Sequence, residues 1–87
     1  AVADYIASKK VVAVGADTWG LDVVPSEVEE RPFYGHGVYL KEHGIYIFET
    51  MNTGPLVRDS AFEFLFVLGQ AKVRGAVQMI INPVAIW

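Results

Sequence analysis

Both histidines of the chain and a following carboxylate fall within one stretch, FYGHGVYLKEHGIYIFET, at residues 33–50. His36 and His43 come first, and Glu49 closes the apolar run that follows them. Imidazole nitrogens and carboxylate oxygens are among the ligands that bind Zn²⁺ in proteins. The stretch therefore has two interpretations. It is half of a metal site, or it is an ordinary helix, turn and strand that happens to carry these side chains.

Helix and strand dimensions indicate which histidine can meet Glu49. A helix rises roughly 10 Å between His36 and His43, at about 1.5 Å per residue. Gly44 lies where a helix C-cap is expected, and the strand that follows returns roughly 13 Å, at about 3.3 Å per residue. We therefore predict that His36 and Glu49 lie side by side. His43 is expected at the opposite end, where a cation suits the negative end of a helix.

Two ligands fall short of a catalytic zinc site, which normally has three protein ligands and a water molecule. Asp17 and Asp22 flank DTWGLD after an apolar, strand-like run, at the position where α/β folds tend to bind ligands. Their residue type and position favour turn or helix-cap carboxylates over ligands. The sequence has no G-x-S-x-G, P-loop, G-x-G-x-x-G, H-E-x-x-H or paired-cysteine motif. The residues alone leave the third ligand open.

Composition limits the size of the protein and its partners. Eighty-seven residues make one small domain at most, and 53% of them are hydrophobic, so we expect an apolar face that meets another surface. The net charge is 7 − 10 = −3, without a basic cluster, which argues against nucleic acid and anionic membranes as partners. The absence of cysteine excludes disulfides and thiolate sites, and a reducing cytoplasm is the predicted compartment.

Hydrophobic periodicity predicts the order α-β-loop-α-β-β-β, a mixed α/β layer. The predicted elements are a helix over 2–9, a strand over 11–17, a loop over 18–32, a helix over 33–43, a strand over 45–49, a loop through Asn52, Gly54 and Pro55, a strand over 62–73 and a strand over 84–87. The run VVAVGAD is typical of a strand covered on both faces of a parallel sheet. Such a sheet needs crossover helices that two short helices cannot supply, so we expect residues 1–87 to be a single partial domain.

Hydrophobic periodicity also predicts which side chains outside the His36–Glu49 pair pack in the interior. In the helix over 33–43, Val38, Tyr39 and Leu40 are available to pack. Phe62, Phe64 and Phe66 alternate with other residues along the predicted strand, which favours one face of a packed strand over a binding platform.

The ordered series of motifs resembles one protein family. The series comprises VVAVGADTWGLD, an H-x12-E spacing that ends in HGIYIFE, then FEFLFVLGQAKVRGA and the closing NPVAIW. It resembles the C-terminal part of the cyclase family, which includes bacterial kynurenine formamidase, isatin hydrolase and metal-dependent lactone hydrolases. The family pattern G-[AIV]-D-T-x-x-L-D is met by Gly15, Ala16, Asp17, Thr18, Leu21 and Asp22. The family's signature H-x-G-T-H-x-D-x-P-x-H does not occur in the chain, and Gln78, Met79 and Ile80 stand where many relatives have a Gly-Ser-Pro-like turn.

The resemblance implies a fold, a site and a reaction. The fold is a mixed layered sheet with short helices, the C-terminal third of a cyclase-like, swivelling β/α/β domain. His36 and Glu49 would bind Zn²⁺ or Mn²⁺ together with upstream ligands, and Asp17, Thr18 and Trp19 would bind a small-molecule amide or lactone. The ion would activate water for hydrolysis. The chain alone is then expected to be inactive, and to form a homo-oligomer or to associate with its missing N-terminal portion.

Two other functions remain open from the residues. The chain could be a non-enzymatic assembly module whose apolar strands pair with a partner chain. A weaker alternative is a small-ligand binding domain, for which only the loop around Trp19 provides support. Trp19 could wall a planar substrate or could simply pack.

Overall fold

Short helices and two small sheets make up the chain, which agrees with the predicted mixed α/β class. The computed structural model describes residues 2–87, divided into one compact unit that ends at Thr53 and another that begins at Gly54. Across residues 2–87, every helix is too short or too polar to cross a bilayer.

The first unit is built around a parallel pair of strands. Its elements are α1 (Val2–Ser8), β1 (Ala13–Gly15), α2 (Tyr34–His36), a π-helix (Gly37–Glu42) and β2 (Tyr46–Phe48). β1 and β2 are parallel, with Val14 opposite Ile47, so the parallel arrangement predicted for the strand over 11–17 is confirmed. The predicted strand over 11–17 is shorter in the structure. Its coverage on both faces is wrong, because Val12 is 77% exposed and the described sheet has only two strands.

The core of this unit lies where α1 meets the π-helix and the start of β2. Its buried side chains are Ala3, Ala7, Val38, Tyr39 and Ile45. The two alanines are four residues apart, so they lie on one face of α1 and let the π-helix approach closely. The predicted packing of Val38 and Tyr39 is confirmed. The same prediction for Leu40 is wrong, because Leu40 lies on the outer face and is 49% exposed.

A wide helical turn connects the core to the sheet. The His43 N–H donates to the Val38 carbonyl at 3.1 Å, a five-residue spacing that defines a π-helix, and such turns frequently lie at functional sites. Gly44 follows with φ of +65°, a left-handed conformation that glycine adopts without steric cost. The reversal predicted at Gly44 is therefore confirmed.

A hydrogen bond between two side chains connects α1 to α2. The Tyr34 hydroxyl donates to the Asp4 carboxylate at 3.0 Å. This bond is the main reason why the pKa of Asp4 is lowered and the pKa of Tyr34 is raised from their ordinary values. The contact between the two helices is therefore weakened by protonation of Asp4 at acidic pH and by deprotonation of Tyr34 at alkaline pH.

The second unit contains α3 (Gly54–Arg58), β3 (Leu65–Val67) and β4 (Val84–Ile86). β3 and β4 are antiparallel, with Phe66 opposite Ala85. The predicted loop through Gly54 and Pro55 is instead the start of α3, because proline is tolerated in the first turn of a helix. The final predicted strand is confirmed, whereas the strand predicted over 62–73 is reduced to three residues.

None of residues 54–87, all of which the structure describes, is buried. Phe62 is 90% exposed, and Phe64 and Phe66 are each 39% exposed. The predicted packed aromatic face is therefore wrong for the described chain. Alternation along a strand identifies residues that share a face, but it does not supply the layer that covers them.

Candidate metal centre

The parallel pairing of β1 and β2 brings the carboxyl ends of both strands to one edge. The Ala16 N–H donates to the Phe48 carbonyl at 3.0 Å, and the Thr50 N–H donates to the Thr18 carbonyl at 2.8 Å. Glu49, the first residue after β2, lies between these two bonds in the sequence. The loop that follows β1 and the segment that carries Glu49 are therefore held side by side.

His36 is held at the end of α2 by the carboxylate of Asp22. The backbone N–H groups of Gly35 and His36 donate to this carboxylate, at 2.5 and 3.2 Å. The Nδ1 atom of the His36 ring is also in hydrogen-bond contact with Oδ2 of Asp22. Asp22 therefore caps the first turn of the helix and holds the ring with one side chain, of which only 9% is exposed.

Opposing influences act on the ionisation of Asp22. Burial is the largest influence and raises its pKa, while the hydrogen bonds from the His36 ring and from the backbone of Gly35 and His36 lower it. The hydrogen bonds outweigh burial, so the pKa of Asp22 lies below its ordinary value. Asp22 is accordingly an ionised acceptor at neutral pH.

The other ring nitrogen of His36 faces Glu49. The Nε2 atom lies 3.5 Å from Oε1 of Glu49, which confirms the predicted juxtaposition of these two side chains. Oε1 is buried, and it has no hydrogen-bond partner among residues 2–87. Its nearest charged neighbour is the His36 ring, which forms an ion pair with it only when the ring is protonated. A buried carboxylate oxygen without a hydrogen bond is costly, so a further group would stabilise this atom.

The distance between these two atoms fits a shared ion better than a direct hydrogen bond. Hydrogen bonds from nitrogen to oxygen span about 2.7–3.2 Å. Two ligand atoms about 2.1 Å from one zinc ion at a tetrahedral angle lie about 3.4 Å apart. The observed 3.5 Å between Nε2 and Oε1 matches the second value. The residues present therefore fit a divalent ion, as two of its ligands.

The pair does not by itself complete a metal site. Within residues 2–87, no group of three or more histidine, aspartate or glutamate side chains is arranged to hold an ion. Asp22 contacts Nδ1, on the side of the ring away from Glu49, so it supports His36 and is not a third ligand. His43 is exposed and is the C-cap residue of the π-helix, the helix end at which it was predicted.

The three predicted substrate-binding residues lie in the loop after β1. Asp17, Thr18 and Trp19 are all exposed, and the Trp19 side chain is 83% exposed. The Thr18 hydroxyl donates to the Gly20 carbonyl at 2.7 Å, which shapes the loop. The structure brings the backbone of this loop beside the segment of Glu49, and the substrate-binding role of the three side chains stays a prediction.

A cavity of about 120 Å³ is lined in part by Asp22, Leu21, Tyr34 and Tyr39. Small-molecule sites typically occupy about 300–1,000 Å³, so this cavity is too small for one. Trp19 does not line it. The cavity therefore gives no support to a separate ligand-binding function.

Sequence reasoning offered Asp22 as a helix-cap carboxylate, which the structure confirms, but it missed the contact of Asp22 with the His36 ring and the roles of two glycines. A Cβ atom on Gly35 would lie 2.6 Å from Oδ1 of Asp22, so the helix can approach the carboxylate only because residue 35 lacks a side chain. A Cβ atom on Gly20 would lie 4.0 Å from Oε1 of Glu49, which places Gly20 against the unpartnered oxygen. The glycine that directly precedes His36 was the available signal.

The geometry defines a class of site: a histidine held by a carboxylate, paired with a buried glutamate oxygen. Comparisons with protein-family models, curated proteins and solved structures found no match to this chain. The resemblance to the cyclase family therefore stays a prediction.

Proposed function

We propose that this chain provides part of the metal centre of a cyclase-family hydrolase that opens an amide or lactone bond. The observation that carries the proposal is the buried, unpartnered Oε1 of Glu49, 3.5 Å from Nε2 of His36. These two atoms would hold Zn²⁺ or Mn²⁺. When bound, such an ion supplies Lewis-acid polarisation of a carbonyl group and makes water more acidic.

The chain's own residues have separate tasks in this proposal. His36 and Glu49 provide one neutral and one anionic ligand, which suits a divalent cation. Asp22 holds the His36 ring by its Nδ1 atom, an arrangement common among metal-binding histidines. Thr18 and Trp19 lie in the loop beside Glu49 and would contact a small-molecule substrate.

The remaining ligands would come from another segment, of the form H-x-G-T-H-x-D-x-P-x-H. Because a catalytic zinc site normally has three protein ligands and water, the 87-residue chain alone is expected to be inactive. The cyclase-like, swivelling β/α/β fold, the single partial domain over 1–87 and the cytoplasmic location are parts of the same proposal. Turnover of an amide or lactone by the isolated chain with added Mn²⁺ would refute the expected inactivity.

Calorimetric titration with Zn²⁺ and with Mn²⁺ tests the metal centre. The variants are His36→Ala and Glu49→Gln, and His43→Ala is the matched control because it removes the other histidine. Loss of a group that merely supports a ligand costs about 10–100-fold in affinity, so loss of a ligand should cost at least about tenfold. The His43 variant should bind like the wild type. Equal affinities in all four proteins would contradict the proposal.

A second candidate function, a non-enzymatic assembly module, is favoured by a different observation. None of residues 54–87 is buried, although β3 and β4 carry Leu65, Phe66, Val84 and Ile86. An isolated two-stranded sheet is only marginally stable in water, and exposed apolar patches mark interaction sites. A second copy of this chain is the occupant that we propose, because most soluble oligomers are homo-oligomers and a two-fold interface joins identical surfaces.

Sedimentation equilibrium distinguishes this second candidate. The wild type should self-associate, and Leu65→Lys should shift the protein toward monomer because it places a charge on the sheet. Val57→Lys is the control, since Val57 is 75% exposed and lies in α3, outside the sheet. A wild type that stays monomeric at every concentration reached would exclude self-assembly and leave the metal centre as the better function.

A further inference from the structure

The Asp22 carboxylate makes three contacts with the helical turn that carries His36. One oxygen accepts the Gly35 N–H, and the other accepts the His36 N–H and faces the Nδ1 atom of the same residue. The Asp22 side chain is 9% exposed, whereas that of His36 is 34% exposed. The backbone contacts fix where the carboxylate lies, and the carboxylate then fixes the orientation of the ring.

These contacts indicate which ring nitrogen carries the proton. Both oxygens of the Asp22 carboxylate accept backbone N–H groups, so we assign Nδ1 of His36 as a third donor to this carboxylate. In a neutral imidazole with a proton on Nδ1, Nε2 has a free lone pair. That lone pair is on the nitrogen that lies 3.5 Å from the unpartnered Oε1 of Glu49. A cation between the two atoms would meet acceptors on both sides.

We infer that Asp22 is a positioning residue: it holds His36 in the Nδ1–H tautomer and thereby presents Nε2 to the space shared with Glu49. This inference rests on the proposed function, because presenting Nε2 has a use only if an ion binds there. The tautomer of His36 is nevertheless a property of the metal-free protein. Asp22 itself does not touch the ion. Its removal should therefore change the state of the ring before it changes any activity.

The substitution Asp22→Asn separates positioning from simple capping. An asparagine side chain has one oxygen and one NH₂ group, so it cannot accept from three donors as the carboxylate does. If its oxygen keeps the Gly35 contact, the NH₂ group faces Nδ1, and the ring must then accept there and carry its proton on Nε2. Glu29→Gln is the matched control, because it also removes one negative charge and Glu29 is exposed in the loop over 18–32.

Nitrogen-15 NMR of the His36 ring in the metal-free protein at mildly alkaline pH tests the inference. The wild type and Glu29→Gln should show the proton on Nδ1, and Asp22→Asn should show it on Nε2. In Zn²⁺ titrations, Asp22→Asn should bind about 10–100-fold more weakly than the wild type, with Glu29→Gln unchanged. A wild-type ring protonated at Nε2 overturns the inference without any variant, so a folding failure of Asp22→Asn does not leave it untested.

The two measurements distinguish this inference from the proposed function. A tautomer change in Asp22→Asn, in a protein that binds no Zn²⁺, would support positioning by Asp22 and contradict the metal centre. Zn²⁺ binding that depends on His36 and Glu49 but is the same in Asp22→Asn, with an unchanged tautomer, would support the metal centre and overturn positioning.

Discussion

Substitution of Gly35 by alanine should destabilise the protein, although helix propensity alone predicts the opposite. Gly35 lies within α2, where glycine costs about 1 kcal/mol relative to alanine. A Cβ atom at this position would, however, lie 2.6 Å from Oδ1 of Asp22. Restoring an ordinary contact of 3.4 Å requires a displacement of 3.4 − 2.6 = 0.8 Å. The sign of the effect therefore depends on whether Asp22 can move without loss.

The contacts of Asp22 determine the size of the effect. The Gly35 N–H donates to Oδ1 at 2.5 Å, and a retreat of 0.8 Å would stretch this bond beyond the usual range. A hydrogen bond to a charged group contributes about 1.5–3 kcal/mol. After the gain of about 1 kcal/mol in helix propensity, Gly35→Ala should lower the free energy of unfolding by about 0.5–2 kcal/mol.

Gly37→Ala provides the matched control in the next helical segment. There the nearest atom to an added Cβ is the Arg31 guanidinium at 3.4 Å, which is the end of a flexible side chain. Gly37→Ala should therefore raise the free energy of unfolding by up to about 1 kcal/mol. Urea denaturation followed by circular dichroism measures both variants. If Gly35→Ala proves as stable as Gly37→Ala, the assigned role of Asp22 at this turn is incorrect.

Three further predictions concern the first unit. Val38→Ala should cost about 2 kcal/mol in unfolding free energy, because Val38 is wholly buried, whereas Leu40→Ala, at a half-exposed position, should cost less than half as much. Gly44→Ala should cost about 1–2 kcal/mol in unfolding free energy, because φ at this residue is +65°. Urea titration of Val38→Ala and Gly44→Ala, with Leu40→Ala as the reference, checks these values. The lowered pKa of Asp4 stabilises the folded protein at pH values above the ordinary pKa of aspartate, and this stabilisation is lost as the pH falls through the folded-state pKa. The raised pKa of Tyr34 stabilises the folded protein below about pH 10, and this stabilisation is lost as the pH rises further. Tyr34→Phe should therefore flatten the pH profile of unfolding free energy below about pH 4 and above about pH 10, and an unchanged profile would contradict this coupling.

Local sequence patterns were sufficient for several elements of the first unit. The 3.6-residue period located α1 and the helical segment that ends near His43, and a glycine after that segment located the reversal. The rise per residue of a helix and of a strand then predicted that His36 and Glu49 lie side by side. The 3.5 Å between Nε2 of His36 and Oε1 of Glu49 confirms this. These predictions succeeded because each depends on chain geometry within about fifteen residues of sequence.

The sequence by itself determined the residue types, the mixed α/β class and the placement of His36 and Glu49 side by side. The tertiary structure decided that Asp22, fourteen residues before His36, holds its ring, and that Oε1 of Glu49 is buried without a partner. It also decided that the alternating phenylalanines of the second unit are exposed. The physical reason is that periodicity reports which side chains share a face, whereas burial and hydrogen bonding depend on what packs against that face from distant parts of the chain.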